Sequence, residues 1–450
     1  MASGASLKKQ GDAGGGSFNL DARHVATYLL LGLGFAVVMG FMYMQYVYYD
    51  AMMATLGISN AQLGFLVSLV GITGVITSIP CGVFVDRVDC RKSLTFSLIG
   101  MMAFCALFAI VPTYQIAIVT WACAGIVMIF WYSAIYKTVR VIAPPNAIGK
   151  SFGMFGVGVA LGSSVVTVAG LSFYGWFANA YSLSAGLSAI LWAFFAAGMI
   201  SAIGGGLLVM SFEPQQPVRA PKAEQHQLRA IFGNLGKAVR DPGTWLYVGG
   251  CFCIYSFQVS LSYFTPYFTA VLGTTVAFSG IVAVFRQYGL RIISAPLGGW
   301  IGDKIGSTAR VIRISLAILA CTVVVIMLLP ESTPLWVLVA LVFFLGLLGT
   351  MNISLQASIS EDAMVPPHNM ALVIGLTSVF NADLFQATMF GSWLDAFGNG
   401  GYTFIWLYTL GILIAGVVVL SVMVRRRERI EGRAHAVGSA ASATGEGGIA

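Results

Sequence analysis

The 450 residues are 58% hydrophobic and only 9% charged, with a formal net charge of +7. So little charge cannot cover a water-soluble domain of this size, and the apolar residues fall in runs of about twenty or more, the length that spans a bilayer. The chain reads as an all-α polytopic membrane protein, and its bases are spread over short loops, not gathered in one stripe, which excludes a nucleic-acid partner.

The first twenty-odd residues are polar and read as disordered. The apolar run after Arg23 is too long for a signal-peptide core and lacks a small-residue cleavage site, so it is the first membrane helix. Twelve spans can be counted. Six lie near 25–49, 60–85, 93–112, 114–141, 150–176 and 184–211, forming an N-terminal bundle over 25–211. A basic linker, 212–243, follows, with a surface helix expected at 226–240. Six more spans lie near 244–271, 276–301, 310–329, 335–358, 369–392 and 402–424, a second bundle over 244–424. Residues 425–450 open with an arginine run and continue as an Ala/Gly/Ser-rich tail with no reason to fold. Seven cysteines (81, 90, 105, 123, 251, 253, 321) lie in or beside these runs with neither a disulfide framework nor a zinc spacing, so Cys251 and Cys253 read as packing.

The bases near the span ends (Lys8, Lys9, Arg23, Arg87, Arg91, Lys92, Lys150, those of the linker, Lys304, Arg310, Arg313 and the tail arginines) fall on one side, while the opposite loops near 50–59, 112–114, 177–183, 272–275, 330–334 and 393–401 carry none. The positive-inside rule then places both termini in the cytoplasm of a cell bounded by an inner membrane, which requires an even number of spans. Glycines 149, 153, 156, 158 and 162 recur along the fifth span, as close helix packing requires.

After the second span the chain reads Gly82-Val83-Phe84-Val85-Asp86-Arg87-Val88-Asp89-Cys90-Arg91-Lys92, and after the eighth Gly299-Trp300-Ile301-Gly302-Asp303-Lys304-Ile305-Gly306. The same punctuation at the same place in two halves marks an internal duplication. With the six-plus-six layout and the basic linker, these motifs make residues 25–424 resemble the major facilitator superfamily, whose loop motif is Gly-x-x-x-Asp-Arg/Lys-x-Gly-Arg-Arg/Lys. Gly82, Asp86, Arg87 and Arg91 match it, with Asp89 and Cys90 standing in place of Gly and Arg. Gly299, Asp303, Lys304 and Gly306 match in the second copy, followed by Ser307-Thr308 where bases are usual. The resemblance implies two six-helix bundles, a central cavity, alternating access, a gating role for both motifs, and a monomer without cofactor. Asp86 is expected at the N-terminus of the eleventh helix, where a carboxylate meets the positive end of the dipole. The segments Lys137–Gly153, Arg286–Asp303 and Ser360–Gly400 look similar to a bacterial branch of organic-anion permeases.

An ionisable group deep in a span costs about 2.5–3.5 kcal/mol or more, so it needs a partner or a wet cavity. Arg286 and Arg291 lie near the middle of the eighth span, Lys137 and Arg140 on one face of the fourth, and Asp383 near the middle of the eleventh. Four bases against one acid suggest a small anionic substrate, which arginine's planar fork grips with two parallel hydrogen bonds. Five residues apart, Arg286 and Arg291 point about 140° away from each other on a regular helix. Arg286 is the expected principal contact, with Arg291, also in the binding set, structural or gating; the alternative for each is a buried arginine satisfied by helix carbonyls or by Asp383. Lys137 and Arg140 bind substrate or snorkel to the interface. Asp383 either accepts a coupling proton or is the fixed partner of an arginine. Gln258, Tyr263, Asn352 and Gln356 complete the expected binding set, with Tyr43, Gln45, Tyr267 and Asn381 available to shape the cavity. The function expected is secondary transport of a small organic anion; the alternatives are an exporter of amphipathic or cationic compounds and a transporter-like ligand sensor. No P-loop, His-rich metal pattern or Gly-x-Ser-x-Gly elbow points to an enzyme.

Overall fold

The computed structural model describes residues 21–144, 147–214, 239–330, 332–365 and 370–445. The side chains at 79–80, 82–87, 148–149, 295, 303, 357, 370–372, 374–375 and 432–445 fall outside that description. Among the described residues all regular structure is helix. Ten stretches are long and apolar enough to cross a membrane. One of them, Leu376–Glu431, contains two antiparallel helices, and Pro242–Ala270 adds a further pass, so the helices can be followed as twelve spans.

Six of the spans start at a side chain that supplies a cap. Ser59 accepts from the Gln62 amide in a reciprocal capping box, Asp89 caps the third span, Ser182 the sixth, Thr275 the eighth and Ser307 the ninth. Asp241 and Pro242 start the seventh. Gly306 ends the eighth span in the left-handed region, at φ 71°, a conformation glycine adopts without steric cost. The two copies of the loop motif diverge here for a physical reason. In the second copy Gly306 stops one helix and Ser307 starts the next, whereas in the first the extended Val88 ends the helix and Asp89 caps its successor.

Five spans expected to be continuous are interrupted; in the sixth a wide turn at Ser201–Gly205 separates Leu183–Ile200 from Gly206–Met210. The first divides into Ala22–Met42 and Gln45–Leu56, the seventh into Pro242–Ser262 and Phe264–Ala270. Pro266 explains the seventh, because its ring lacks an amide hydrogen and clashes with the carbonyl four residues earlier, that of Ser262. In the eighth, a wide turn at Phe285–Gly289 separates Val276–Val284 from Arg291–Ile305. The eleventh unwinds between Met370–Val379 and Gln386–Phe397, where Asn381 turns its side chain onto the Asp383 amide and competes with the helix.

The tail differs from expectation as well: the last helix runs from Gly401 to Gly445. Arg427 and Glu431 pair one turn apart at 2.7 Å, and the stretch beyond is rich in alanine, the strongest helix former. Arg426 binds Asp241 at 3.0 Å and the Ala363 carbonyl, Arg427 also binds Asp362, and Arg310 binds Glu428 at 2.6 Å, so this helix is tied to its own half. The surface helix expected at 226–240 falls on residues outside the described set, except for its last two.

The spans of each half pack mainly on one another, first on fifth, second on fourth and ninth on twelfth, and the second and eleventh spans make an extensive contact between the halves. In the fifth span Gly158 and Gly162 pack against the backbone of the first, at Leu29 and Leu33, whereas Gly153 and Gly156, expected to pack in the same way, face open space.

Candidate functional site

The helix ends on one side hold Arg91, Lys92, Lys150, Lys304 and Arg310; those on the other hold Asp50, Asn60 and Asp395. The halves meet toward the second, base-free end. Thr265 donates to the Tyr46 carbonyl and Thr269 to Asp50, both at 2.9 Å, Ser68 pairs with Thr388 at 2.8 Å, and Asp395 binds Asn60 and Ala61. Just inside this closure, the broken first and eleventh spans face each other. Tyr43 donates to Asp383 at 3.0 Å, and the Asn381 side chain lies beside the same carboxylate. Asp383 is 7% exposed, and no cation pairs with it among the described residues. The alternative that Asp383 is the fixed partner of an arginine finds no such arginine there.

Toward the base-rich end, Phe35, Tyr132, Tyr136 and Phe155, from the first, fourth and fifth spans, form one aromatic cluster. Tyr132 and Tyr136 are each 40% exposed. Arg291, an exposed residue of the opposite half, lies within electrostatic reach of both tyrosines and of Tyr288. The two arginines of the eighth span are thus separated in environment. Arg286, placed in the wide turn, is 1% exposed, donates from Nη1 to the Leu261 carbonyl and packs its stem where Gly346 leaves room. The expected main substrate contact is therefore buried: the Leu261 carbonyl, beside the break of the seventh span, holds it, and Arg291 is the exposed base.

The seventh and tenth spans form a polar seam leading away from Arg286. Gln258 donates to Gln287 at 3.1 Å and lies beside Gly349; Gln356 donates to Tyr255 at 3.0 Å. Asn352, 1% exposed, lies on the same face of the tenth span as Gly349 and Gln356, between those two contacts. Arg286 Nε, Gln258 Oε1, Gln356 Oε1 and both amide atoms of Asn352 are buried without a hydrogen-bond partner. Buried polar atoms are normally paired with protein or water, so these atoms are free to take a water or ligand partner, as are those of Gln45 and Trp131 elsewhere in the molecule. Four of the expected residues come together in this way. Tyr263 stands apart, committed to the Ala387 carbonyl at 2.8 Å behind the closure. Lys137 and Arg140 are exposed on the base-rich half of the fourth span.

Of the gating motifs, Gly82, Asp86 and Arg87 belong to the last turns of Asn60–Arg87, their side chains outside the described set, as is that of Asp303. Arg91 binds Asp89 at 2.9 Å and the Phe212 carbonyl, both in its own half. Burial alone would push the Asp89 carboxyl up, but hydrogen bonds and charge from Arg91, helped by Lys92, outweigh it and hold the group below its usual range. Lys304 lies over the Trp300 ring at 5.2 Å, and Gly299 faces open space. Sequence reading did not single out Gln287, Tyr255 or Asp395. Asp395 could have been noticed as an acid in the base-free loop at 393–401, but nothing along the chain connects it to residue 60.

Comparison with known proteins agrees with this architecture. Two inner membrane proteins of Escherichia coli strain K12 are similar over most of their length. YihN is 24% identical over 388 residues, covering 84% of this chain and 90% of its own. YqcE is 25% identical over 408 residues, covering 88% and 93%. Among solved structures, a bacterial homolog of the human lysosomal transporter Spinster, inward-facing and unoccupied, superposes with a TM-score of 0.66 at 16% identity, covering 92% of this chain and 97% of that one. The nucleoside transporter NupG also gives 0.66, at 15% identity, covering 89% and 99%. Residues 29–388 match the profile of the Major Facilitator Superfamily, and the chain belongs to that family of membrane transporters.

Proposed function

We propose that this transporter moves a small organic anion, a carboxylate, sulfonate or similar, across the cytoplasmic membrane by alternating access. The observation that carries the reading is the seam of unpartnered buried polar atoms at Arg286, Gln258, Asn352 and Gln356, with Arg291 of the same half exposed and within electrostatic reach of Tyr132 and Tyr136 across the molecule. Arg291 supplies the charge that attracts and orients the anion, and the amides of the seam take up the hydrogen bonds that an anion loses on leaving water. Lys137 and Arg140, at the base-rich mouth, add positive field. Asp383, hydrogen-bonded across the halves by Tyr43, is the site of proton coupling. With the base-rich end in the cytoplasm, as the distribution of Lys and Arg supports, the arrangement is inward-facing, closed outside through the second and eleventh spans.

A thermal-stability panel on the purified protein tests this reading, using carboxylates, sulfonates, phosphate esters and nitrate, with organic cations as controls. A ligand at 100 times its Kd adds about 2.7 kcal/mol. Stabilisation by one anion class, lost in Arg291→Gln, is the expected result. A second reading, export of amphipathic cations, draws on Asp383 and its lack of a paired cation among the described residues; stabilisation by lipophilic cations alone would establish it and discard the anion.

A further inference from the structure

We infer that Asp395 is the residue that holds the base-free gate shut during transport. Its carboxylate, carried by the eleventh span of one half, finishes the N-terminus of the second span in the other half.

The first four amides of a helix have no partner within the helix. At the start of Asn60–Arg87 the capping box takes two of them within the half, the Ser59 hydroxyl accepting from the Gln62 amide at 3.3 Å and Gln62 Oε1 from the Ser59 amide at 2.9 Å. The other two are satisfied from outside the half. Asp395 accepts from the Asn60 amide at 2.9 Å and from the Ala61 amide at 2.8 Å, one oxygen each. It also accepts from Asn60 Nδ2 at 2.7 Å, and the Tyr49 hydroxyl holds the Asn60 side chain in that orientation by donating to Oδ1 at 2.6 Å. Three hydrogen bonds to an ionised acceptor thus cross the halves at the positive end of a helix dipole. No cation pairs with Asp395 among the described residues, so its charge is answered by this helix end.

The position suits a gate better than a permanent strut. Asp395 is exposed, so water can replace each of its three bonds when the halves part, and the contact is reversible. One turn further in, Gly391 and Gly64 bring the two backbones together, and two turns in Ser68 pairs with Thr388. The cap is the outermost link of a zipper between the second and eleventh spans. Since Asp395 lies in the last turn of the short helix Gln386–Phe397 and Asp383 just before its first, a movement that releases the cap also displaces the acid at mid-depth.

The test needs no substrate. Ser68→Cys and Thr388→Cys place two thiols where the hydroxyls are 2.8 Å apart. Oxidative cross-linking in the purified full-length protein, with the 68–388 link identified by mass spectrometry, then reports the closed population. Adding Asp395→Ala should slow the link by about fivefold or more, the effect of a coupling near the low end of the usual range. Asn60→Asp should slow it too, although an acid in the first turn favours the helix itself, because the new carboxylate faces Asp395. Asp395→Asn should lie between, keeping an acceptor without the charge. Parent-like cross-linking in folded Asn60→Asp and Asp395→Ala protein would overturn the inference, and if Asp395→Ala does not fold, Asn60→Asp decides alone.

Discussion

Gly391→Ala is the sharpest perturbation of the closed arrangement. A Cβ added at residue 391 would lie 2.2 Å from the Asn60 carbonyl oxygen and 2.6 Å from the Ala61 amide nitrogen. Ordinary contact begins at 3.4 Å, so the spans must part by about 1.2 Å, the difference of the two distances. Both obstacles are backbone, and no side chain can swing aside. Overpacking of this kind costs about 1–3 kcal/mol. Because the strain exists only while the second and eleventh spans touch, it acts on the closed arrangement alone and should shift the open-to-closed ratio by roughly 5- to 150-fold. Hydrogen–deuterium exchange reads this directly. The Asn60 and Ala61 amides, shielded by Asp395, should exchange faster in the variant by that factor, while the buried seventh span, Pro242–Ser262, should be unchanged. Equal exchange at 59–64 in both proteins would refute the reasoning, since it would mean that the two backbones are not in contact in solution. Uniformly faster exchange would refute it in another way, showing that the substitution loosens the fold and not the gate.

Asp383→Asn keeps an acceptor for Tyr43 but cannot take up a proton reversibly. It should bind the stabilising anion with little change and lose pH-driven accumulation in liposomes by about tenfold or more; retained coupling would remove Asp383 from the proton path. Asp89→Ala removes the cap of the third span and the partner of Arg91, and should cost about 0.5–2 kcal/mol in thermal unfolding. Since the folded Asp89 carboxyl is held below its usual range, its contribution is complete above about pH 4 and fades as pH falls through the depressed value. The stability difference between parent and Asp89→Ala should therefore shrink on acidification, and a difference that grew would contradict the sign.

Much of the architecture was legible because membrane spans announce themselves locally. A run of about twenty apolar residues has few alternatives in hydrocarbon, where each backbone amide must be satisfied within its own segment. The duplicated motif, the spacing of Lys and Arg, and Gly158 and Gly162 against the first span are likewise local signals with direct physical consequences. The tail was misread for a comparable reason: composition alone favours disorder, and the partners that Arg426, Arg427 and Glu428 of the last helix find in Asp241, Asp362 and Arg310 lie far away in sequence.

For the site, residue type was informative and position was not. Arginine and amide side chains inside spans had to be functional or partnered, and Arg286, Gln258, Asn352 and Gln356 do lie together. Their roles depended on where helices break. A regular eighth span would turn Arg286 and Arg291 about 140° apart without saying which faces the cavity. The wide turn at 285–289 and the Leu261 carbonyl bury the first and leave the second exposed. Sequence by itself thus determined the membrane class, the spans and the repeated halves, through hydrophobicity and charge that act over a few residues. Tertiary structure alone decided which end is closed, that Asp395 meets Asn60, and that Tyr43 meets Asp383, because each is a contact between halves more than three hundred residues apart along the chain.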